Sequence, residues 1–251
     1  MEASWRLILH GPGPPEWNMA VDQAILEAVE EGLAPPTLRL YRWNGPAVTV
    51  GRFQDVERTL RTESCRAQGI PVVRRPTGGR GVLHGWDQTV SLAVPHAVLG
   101  PGAAGVLGAY RRLTSGIALA IRRLGAAEGP WEGRSRGSAG AGDCFASTSP
   151  ADVAGGPGKI AGCAQLRTRA AVLLQSSIRH RRPAVSAATL FKGPPAPAHH
   201  PLAHVNDSLL EEALVRGCEE ALRNRLAEDS LGAWELERTC ALMSRPGIRV
   251  C

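Results

Sequence analysis

One cysteine of the six in the chain lies where a reactive thiol is expected rather than a buried one. Cys144 follows Gly-Asp in a stretch from 125 to 158 that is rich in Gly, Ala and Ser and has no helical or strand periodicity. Cys218, by contrast, falls on the apolar face of a periodic segment, where a structural cysteine is expected. A loop thiol is accessible, and a neighbouring cation makes it reactive because it favours the thiolate. Cys144 is therefore a candidate nucleophile, and the alternative is an incidental exposed thiol.

A lysine follows where this stretch ends. Of the 29 basic residues only Lys159 and Lys192 are lysines. Lys159 opens the sequence KIAGCAQ, which is predicted to be a strand. An ammonium group beside Cys144 is expected to lower the pKa of that thiol from about 8.5 by roughly one to three units. The alternative is a lysine that is solvated at the surface.

Cys163 is the other thiol near Lys159. If this segment is an extended strand, the side chains of Lys159 and Cys163 face the same side but stand roughly 13 Å apart. That separation is poor for mutual activation, whereas Cys144 in its loop can fold back over the strand. The geometry of a strand therefore favours Cys144 as the nucleophile.

A Gly-rich segment with the sequence RRPTGGRGVLH begins at Arg74. Gly78 and Gly79 allow the backbone to approach a ligand closely, and Arg75 and Arg80 offer guanidinium groups that bind one. The segment lacks the Gly-Lys-Ser/Thr ending of a phosphate-binding loop. The alternative is a Gly-rich turn that joins two strands.

The histidines and cysteines do not have the spacing of a metal site. His199, His200 and His204 lie in a Pro-rich connection without carboxylate or cysteine ligands nearby in the sequence. No two cysteines form a Cys-x-x-Cys pair, so a zinc site of the usual kind is not expected. His84, which ends the Gly-rich segment, suits either a base that orients a ligand or a structural hydrogen bond.

Short strands and helices must position these residues. We predict helices where apolar residues recur at helical spacing, and strands where short apolar or alternating runs are bounded by Gly and Pro. The predicted helices cover 16–30, 56–68, 106–124 and about 208–222, and the predicted strands cover 7–9, 37–43, 47–50, 71–73, 89–94, 159–165 and 171–178. Ser208 and Glu211 are predicted to form a capping box at the last helix.

Composition and charge limit the classes of protein to which this chain can belong. With 251 residues, 43% of them hydrophobic and 21% charged, the chain is globular and long enough to bury a sizeable core. No apolar run approaches the roughly 18 residues of a membrane span, and the N-terminus lacks the pattern of a signal peptide. We therefore expect a cytoplasmic protein without a membrane partner. The net charge of +6 is not accompanied by many aromatic residues (4%), so nucleic acid is not the favoured partner.

Taken in order, these segments resemble the superfamily of biotin/lipoate protein ligases and acyltransferases, over nearly the whole chain. The resemblance rests on NMAVD at Asn18, PPTLRLY at Pro35, VTVG at Val48, RRPTGGRGVLH at Arg74, Cys144-Phe145 and KIAGCAQ at Lys159. Within the superfamily they most resemble the octanoyl-[acyl-carrier-protein]:protein N-octanoyltransferases of Gram-positive bacteria. Lipoate ligases that consume ATP typically have Asn-Asp in place of Cys144-Phe145, and the other octanoyltransferase branch places its cysteine after the lysine segment.

The resemblance implies the biotin/lipoate ligase catalytic-domain fold. This is an α/β (α+β) fold with a mixed, largely antiparallel central sheet flanked by helices. The catalytic domain is expected over 1–205, and a C-terminal helical appendage packed on it is expected over 206–251.

The resemblance also implies an activity. Cys144 would take an octanoyl group from octanoyl-acyl carrier protein as a thioester, with Lys159 lowering the pKa of its thiol. The lysine of a lipoyl domain, such as that of glycine cleavage H protein, would then attack to form the amide, with no ATP or metal required. The residues expected to bind substrate are Arg75, Thr77, Gly78, Gly79, Arg80, His84, Gly162 and Ala164.

The chain departs from the family pattern at two places. Relatives usually show His-Asp where this chain has His84-Gly85, and Gln-His-Gly where it has Gln175-Ser176-Ser177. These departures concern the pocket and acceptor docking rather than the nucleophile. Three alternatives remain: an amidotransferase of the same superfamily that takes octanoyl from H protein, an ATP-dependent lipoate ligase, and a non-enzymatic basic binding module.

Overall fold

The structure is a computed structural model of the chain. It describes residues 5–103, 105–126, 129–130, 136–137, 140–150, 152–155, 158–245 and 247–250, with 129–130 and 136–137 described by their backbone alone. The strands in these ranges are β1 (Trp5–Gly13), β2 (Thr37–Trp43), β3 (Ala47–Val50), β4 (Val72–Arg74), β5 (Val82–His84), β6 (Asp87–Pro95), β7 (Gly129–Pro130), β8 (Arg136–Gly137), β9 (Ser147–Thr148), β10 (Val153–Gly155), β11 (Gly158–Arg167), β12 (Ala171–Arg179) and β13 (Leu226–Glu228). The helices are α1 (Pro15–Glu30), α2 (Val56–Thr59), α3 (Thr62–Ala67), α4 (Val106–Arg123), α5 (Ala187–Leu190), α6 (Asp207–Leu222) and α7 (Ala233–Met243).

A mixed sheet of eight strands lies at the centre of the described structure, in the order β13-β1-β2-β6-β12-β11-β10-β7. The strands β13, β1 and β2 pair in parallel, and the other neighbours pair antiparallel. Helices cover both faces of this sheet. The prediction of a mixed, largely antiparallel sheet flanked by helices is confirmed.

The central strands β6 and β12 are buried along almost their whole length because both faces of the sheet are covered. Val90 and Leu92 of β6 face the core that α4 and α6 close, whereas Ala93 faces α1. Strand side chains alternate between the two faces, so a buried run of this kind supports a helix layer on each side.

A small sheet in the order β4-β3-β5 stands beside the main one and carries the Gly-rich segment between β4 and β5. Its core consists of Val48, Val50, Val72 and residues from α3 and α5. The Gly-rich segment is thus held at both ends by strands, which fixes its position against the main sheet.

Two local predictions are wrong. The helix predicted over 56–68 is broken into α2 and α3, because Leu60 is extended and forms a β-bridge with Phe191. The predicted capping box of the last helix is not formed either. The helix begins at Asp207, and the side chain of Asn206 accepts the cap hydrogen bond from the amide of Leu209 at 2.8 Å.

The C-terminal part of the chain packs on the rest through three elements. Helix α6 packs on α4, β13 joins β1, and α7 packs on α1. The crossing of α4 and α6 is close at Gly116, where an added Cβ would lie 2.6 Å from the Cα of Cys218. A boundary at residues 205 and 206 stays a prediction. Among the residues described, no helix is both long and apolar enough to cross a membrane.

Candidate active site

Cys144 and Lys159 are in direct contact. Cys144 begins a 3-10 turn (Cys144–Ala146), and Lys159 is the second residue of β11. The Nζ of Lys159 donates a hydrogen bond to the Sγ of Cys144 at 3.3 Å and forms an ion pair with the Oδ2 of Asp152 at 2.9 Å. The loop therefore folds back over the strand, as the sequence led us to expect.

The turn that carries Cys144 is fixed by the Gly-rich segment. The amide of Cys144 donates to the carbonyl of Gly81 at 2.8 Å, and the amide of Gly81 donates to the carbonyl of Gly142 at 3.0 Å. The carboxylate of Asp143 accepts from the amide of Phe145 at 2.9 Å and so caps the turn. A side chain at position 81 has no room, because its Cβ would lie 2.3 Å from the ring of Phe191.

Lys159 is buried, with 3% of its surface exposed, yet it stays charged. Burial by itself lowers the pKa of Lys159, but the negative charges of Cys144 and Asp152 outweigh burial and hold that pKa above its usual range. Asp152 is in turn held by the amides of Ser149 (2.7 Å) and Cys163 (3.1 Å). The carboxylate thus fixes the ammonium where it faces the thiol.

Cys163 has the environment of an unreactive thiol. Burial, and then the nearby Asp152, raise its pKa to about 12. Its Sγ donates to the Oγ of Ser176 at 3.3 Å. A thiol with such a pKa carries little thiolate at neutral pH. The sequence favoured Cys144 over Cys163 because of strand geometry, and the environment of Cys163 adds a chemical reason.

A small cavity, which we call the inner cavity, reaches from the Cys144 thiol into the space between the two sheets. Its volume is about 410 Å³, including the space at its opening to solvent. It is lined by Met19, Tyr41, Trp43, Thr49, Arg75, Gly79, Val82, His84, Thr89, Cys144, Gly162, Cys163, Ala164, Gln175, Ser176 and Ser177. Apolar atoms make up most of this lining, and an alkyl chain would fit such a surface.

Arg75 holds the Gly-rich segment in place through hydrogen bonds to its backbone. It is buried, and its guanidinium donates to the carbonyls of Gly78 (2.6 Å) and Arg80 (2.7 Å) and to the hydroxyl of Thr49 (3.2 Å). Burial lowers the pKa of Arg75, though a guanidinium stays charged. These contacts direct the loop carbonyls toward Arg75, so Arg75 shapes the loop as well as lining the inner cavity.

A buried polar network supports the floor of the inner cavity. The hydroxyl of Thr77 donates to the Oε1 of Gln175 at 2.7 Å, and the Nε2 of Gln175 donates to Asp22 at 2.6 Å. Asp22 also accepts from the Tyr41 hydroxyl (2.8 Å) and forms an ion pair with Arg39 (2.7 Å). Burial and then Asp22 raise the pKa of Tyr41 well above its usual range, so its phenol remains a donor.

His84 has an acidic partner although Gly85 follows it. Its Nδ1 is 2.7 Å from the Oδ2 of Asp87, and its Nε2 is 2.9 Å from the Oγ1 of Thr49. The hydroxyl of Ser177 donates to the same carboxylate oxygen at 2.7 Å. Burial raises the pKa of Asp87, but His84 and the other donors outweigh it and hold that pKa below its usual range. The structural alternative for His84 is thus well supported by its contacts.

Most of the residues predicted from the sequence come together at one place. Cys144, Arg75, Gly79, His84, Gly162 and Ala164 line the inner cavity, and Lys159 contacts Cys144. Thr77 and Gly78 support it through Gln175 and Arg75, whereas Arg80 points away and donates to Ser147 at 2.5 Å. Their catalytic and binding roles remain predictions.

Sequence reasoning missed three acidic residues of the site: Asp22, Asp87 and Asp152. The buried positions of Asp22 in a helix and of Asp87 at the start of a buried strand were a signal, because a buried carboxylate needs donors around it. Asp152 lies in the aperiodic stretch and gave no such signal. In the described part of the chain, no group of three or more His, Cys, Asp or Glu side chains is arranged to hold a metal ion.

Known proteins resemble this chain in sequence. The family model of the lipoyl protein ligase A/B catalytic domain matches residues 14–181. The chain is 35% identical to Octanoyltransferase LipM from Kyrpidia tusciae over 264 residues, which cover 96% of each protein. It is 38% identical to Octanoyltransferase LipM from Moorella thermoacetica over 181 residues, which cover 70% of this chain and 64% of that protein.

Solved structures support the fold. Lipoate-protein ligase A bound with ATP superposes with a TM-score of 0.80 at 23% identity, over 97% of this chain and 95% of that one. The structure of a bi-partite lipoate protein ligase and its E2 lipoyl domain from Thermoplasma acidophilum gives a TM-score of 0.77 at 22% identity, over 97% and 93%. The fold and the resemblance predicted from the sequence are thus confirmed, and the chain belongs to the lipoyl protein ligase A/B catalytic-domain family.

Proposed function

We propose that this protein transfers an octanoyl group, through a thioester on Cys144, to the lysine of a lipoyl domain. The observation that carries the proposal is the 3.3 Å contact between the Lys159 ammonium and the Cys144 thiol at an apolar cavity. The relatives named Octanoyltransferase LipM give the acyl group its proposed identity. The proposed donor is octanoyl-acyl carrier protein, and the proposed acceptor is a lipoyl-domain protein such as glycine cleavage H protein.

In the first step the thiolate of Cys144 attacks the carbonyl carbon of the donor thioester. A new C–S bond forms on Cys144, the donor C–S bond breaks, and the carrier leaves as its thiolate. The Lys159 ammonium stabilises the attacking thiolate. Gly79 lines the cavity, and its amide forms no hydrogen bond within the described part of the chain, so this amide is a candidate donor to the negative oxygen of the intermediate.

In the second step the neutral amine of the acceptor lysine attacks the acyl group on Cys144. A C–N bond forms, the C–S bond breaks, and the proton of the amine passes to solvent as the Cys144 thiolate is restored beside Lys159. One thioester is exchanged for another and then for a more stable amide, so the sequence of steps needs no ATP, no metal and no redox partner. We place this activity in the cytoplasm, where acyl carrier and lipoyl-domain proteins meet.

The test is covalent labelling. Incubation with octanoyl-acyl carrier protein is expected to add one octanoyl group to the intact protein, at Cys144, as measured by mass spectrometry and peptide mapping. Cys163→Ala is the matched control, since it removes the neighbouring thiol, and it should still be labelled. An adduct that persists in Cys144→Ala, or none in the unchanged protein, would contradict the proposal.

The donor and the energy source are tested in the same assay. Octanoyl-H protein as the better donor would indicate an amidotransferase. Formation of an acyl-adenylate from ATP and free octanoate, with activity kept in Cys144→Ser, would indicate a ligase. Under the proposal, neither occurs, and transfer to a lipoyl domain depends on Cys144.

A further inference from the structure

A second and larger cavity opens on the other side of the Cys144 turn. This cavity, which we call the outer groove, measures about 1400 Å³ with its open mouth and is lined by Asp143 and Phe145, the two neighbours of Cys144 in the chain. Its walls are the end of β12 with the residues that follow it and the segment 195–198. Because Cys144 itself lines the inner cavity, the two spaces meet at the nucleophile.

Three arginines line the outer groove, namely Arg179, Arg181 and Arg182. The guanidinium of Arg179 lies over the ring of Phe145, at 4.3 Å from its centre, and donates to the carbonyl of Pro197 at 2.7 Å. Arg181 forms an ion pair with Asp207 at 2.6 Å. Arg182 is exposed, and within the described part of the chain its side chain makes no hydrogen bond or ion pair. One wall of the groove thus carries a cation without a partner.

The groove has a positive character that its acidic residues do not cancel. Asp87 and Asp143 line it but are buried, and Asp87 already pairs with His84. Burial raises the pKa of Asp143, whose carboxylate accepts a hydrogen bond from the amide of Phe145. Burial, then Arg179 and Arg182, lower the pKa of His200 on the opposite wall, as a positive field does.

The two spaces match the two halves of an acyl thioester donor. An alkyl chain is apolar and suits the inner cavity, whereas the group on the sulfur must leave by another path. Arg179 is next to the nucleophile, and three residues of chain from there to Arg182 span at most about 10 Å. A cation that lines the groove beyond Arg179 in the chain suits an anion that a polar arm joins to the thioester.

We propose that the outer groove binds the thiol arm of the acyl donor, and that Arg182, with Arg181 beside it, binds a phosphate ester on that arm. This inference rests on the proposed function, since it assigns the part of the donor that does not enter the inner cavity. Arginine suits this role because its planar donor groups match phosphate oxygens in a bidentate way.

The experiment compares three donors that carry the same octanoyl thioester. S-octanoyl-N-acetylcysteamine has a minimal arm, S-octanoyl-pantetheine has the arm without phosphate, and S-octanoyl-4′-phosphopantetheine has both. The second-order rate of adduct formation at Cys144 is measured for each by intact mass. The phosphate is expected to increase this rate about tenfold or more at low salt, and the gain should shrink as salt is added.

Arg182→Gln is expected to remove most of the gain from phosphate while the rate with S-octanoyl-pantetheine is unchanged. Arg216→Gln is the matched control, since it removes the same charge from an exposed site on α6 and should keep the gain. Equal rates for the pantetheine and phosphopantetheine donors overturn the inference, and so does a gain that survives Arg181→Gln/Arg182→Gln. Octanoyl-acyl carrier protein is run beside them: labelling by it but by none of the three small donors overturns only this inference, whereas no labelling by any of the four donors overturns the proposed function and this inference with it.

Discussion

Lys159 is shared between a thiol and a carboxylate, and this sharing explains why the position suits lysine in a chain whose other basic residues are nearly all arginine. Its compact ammonium contacts the Sγ of Cys144 and the Oδ2 of Asp152 at once. A planar guanidinium is wider and orders its donors in a fork, so it would not fit the same gap. The raised pKa of Lys159 means that the cation is present throughout the neutral range.

Removal of this cation should slow the reactions of Cys144. In Lys159→Ala the thiolate loses its counter-charge, so alkylation of Cys144 by iodoacetamide at pH 7 is expected to slow about tenfold or more, and its pH profile should move to higher pH. Lys192→Ala is the matched control, because Lys192 is exposed and donates to the carbonyl of Glu57 instead. An unchanged alkylation profile in Lys159→Ala would mean that Lys159 does not activate the thiol.

The same substitution leaves Asp152 buried without its partner, which destabilises a fold by about 3–5 kcal/mol. Lys159→Met/Asp152→Asn removes both charges and keeps much of the volume. This double variant is expected to unfold at higher denaturant than Lys159→Ala but to alkylate as slowly. The two variants thus separate the effect of Lys159 on the stability of the fold from its effect on the reactivity of Cys144.

At the scale of single elements, the backbone of β11 passes close to the nucleophile at Gly162. A Cβ at this position would lie 3.0 Å from the Sγ of Cys144, so the thiol would have to move by a few tenths of an ångström. Small displacements of a reacting atom are costly, and Gly162→Ala is expected to slow adduct formation by about tenfold or more. Gly158→Ala on the same strand is the control, because its Cβ would make only ordinary contacts at 3.9 Å or more. Equal rates in the two variants would contradict this account.

The elements themselves were largely predictable from the sequence, and the exceptions have physical causes. The apolar spacing of α1 and the alternation in β2 are local signals, and both elements lie within a residue or two of the prediction. Leu60 breaks a helix because a distant residue, Phe191, pairs with it, which no local pattern records. The cap of α6 is Asn206, and Glu211, predicted to close the box, forms an ion pair with Arg42, a residue far away in the sequence.

The sequence allowed the nucleophile of the site to be predicted, but not the residues and cavities that surround it. Cys144 and Lys159 stand out by residue type and context, and the family pattern joins them. Asp152 holds the lysine through a contact that depends on how the 3-10 turn and β10 are placed in space. The two cavities are likewise properties of the assembled molecule, since each is bounded by segments far apart in the sequence.

At the scale of the whole molecule, a buried ion pair ties α1 to β2 beneath the inner cavity. Arg39 and Asp22 are both fully buried, and the Nε of Arg39 donates to the Nδ1 of His10 at 2.9 Å. His10 can accept this bond only when that nitrogen carries no proton. Burial, and then the charge of Arg39, lower the pKa of His10 to about 4. Protonation of His10 therefore opposes the native structure.

This linkage predicts a loss of stability at mildly acidic pH. In the unfolded chain His10 binds a proton near its ordinary pKa of about 6.5, whereas in the folded protein it does so only near 4. Between these values the unfolded state binds more protons, so the free energy of unfolding falls as the pH falls. The loss should be on the order of 1 kcal/mol, because His10 is only half-buried and solvent screens its charge.

Urea denaturation at pH 7.0 and pH 5.5 measures this loss of stability. Both pH values lie above the range in which most carboxylates titrate, so the change is due mainly to histidine. His10→Gln keeps an acceptor for Arg39 but has no proton to bind, so its free energy of unfolding should change less between the two pH values than that of the unchanged protein. His204→Gln is the matched control, since His204 is exposed and should leave the pH dependence as it is. If His10→Gln and His204→Gln show the same pH dependence, then the acid sensitivity of the fold arises elsewhere than at the junction of α1 and β2.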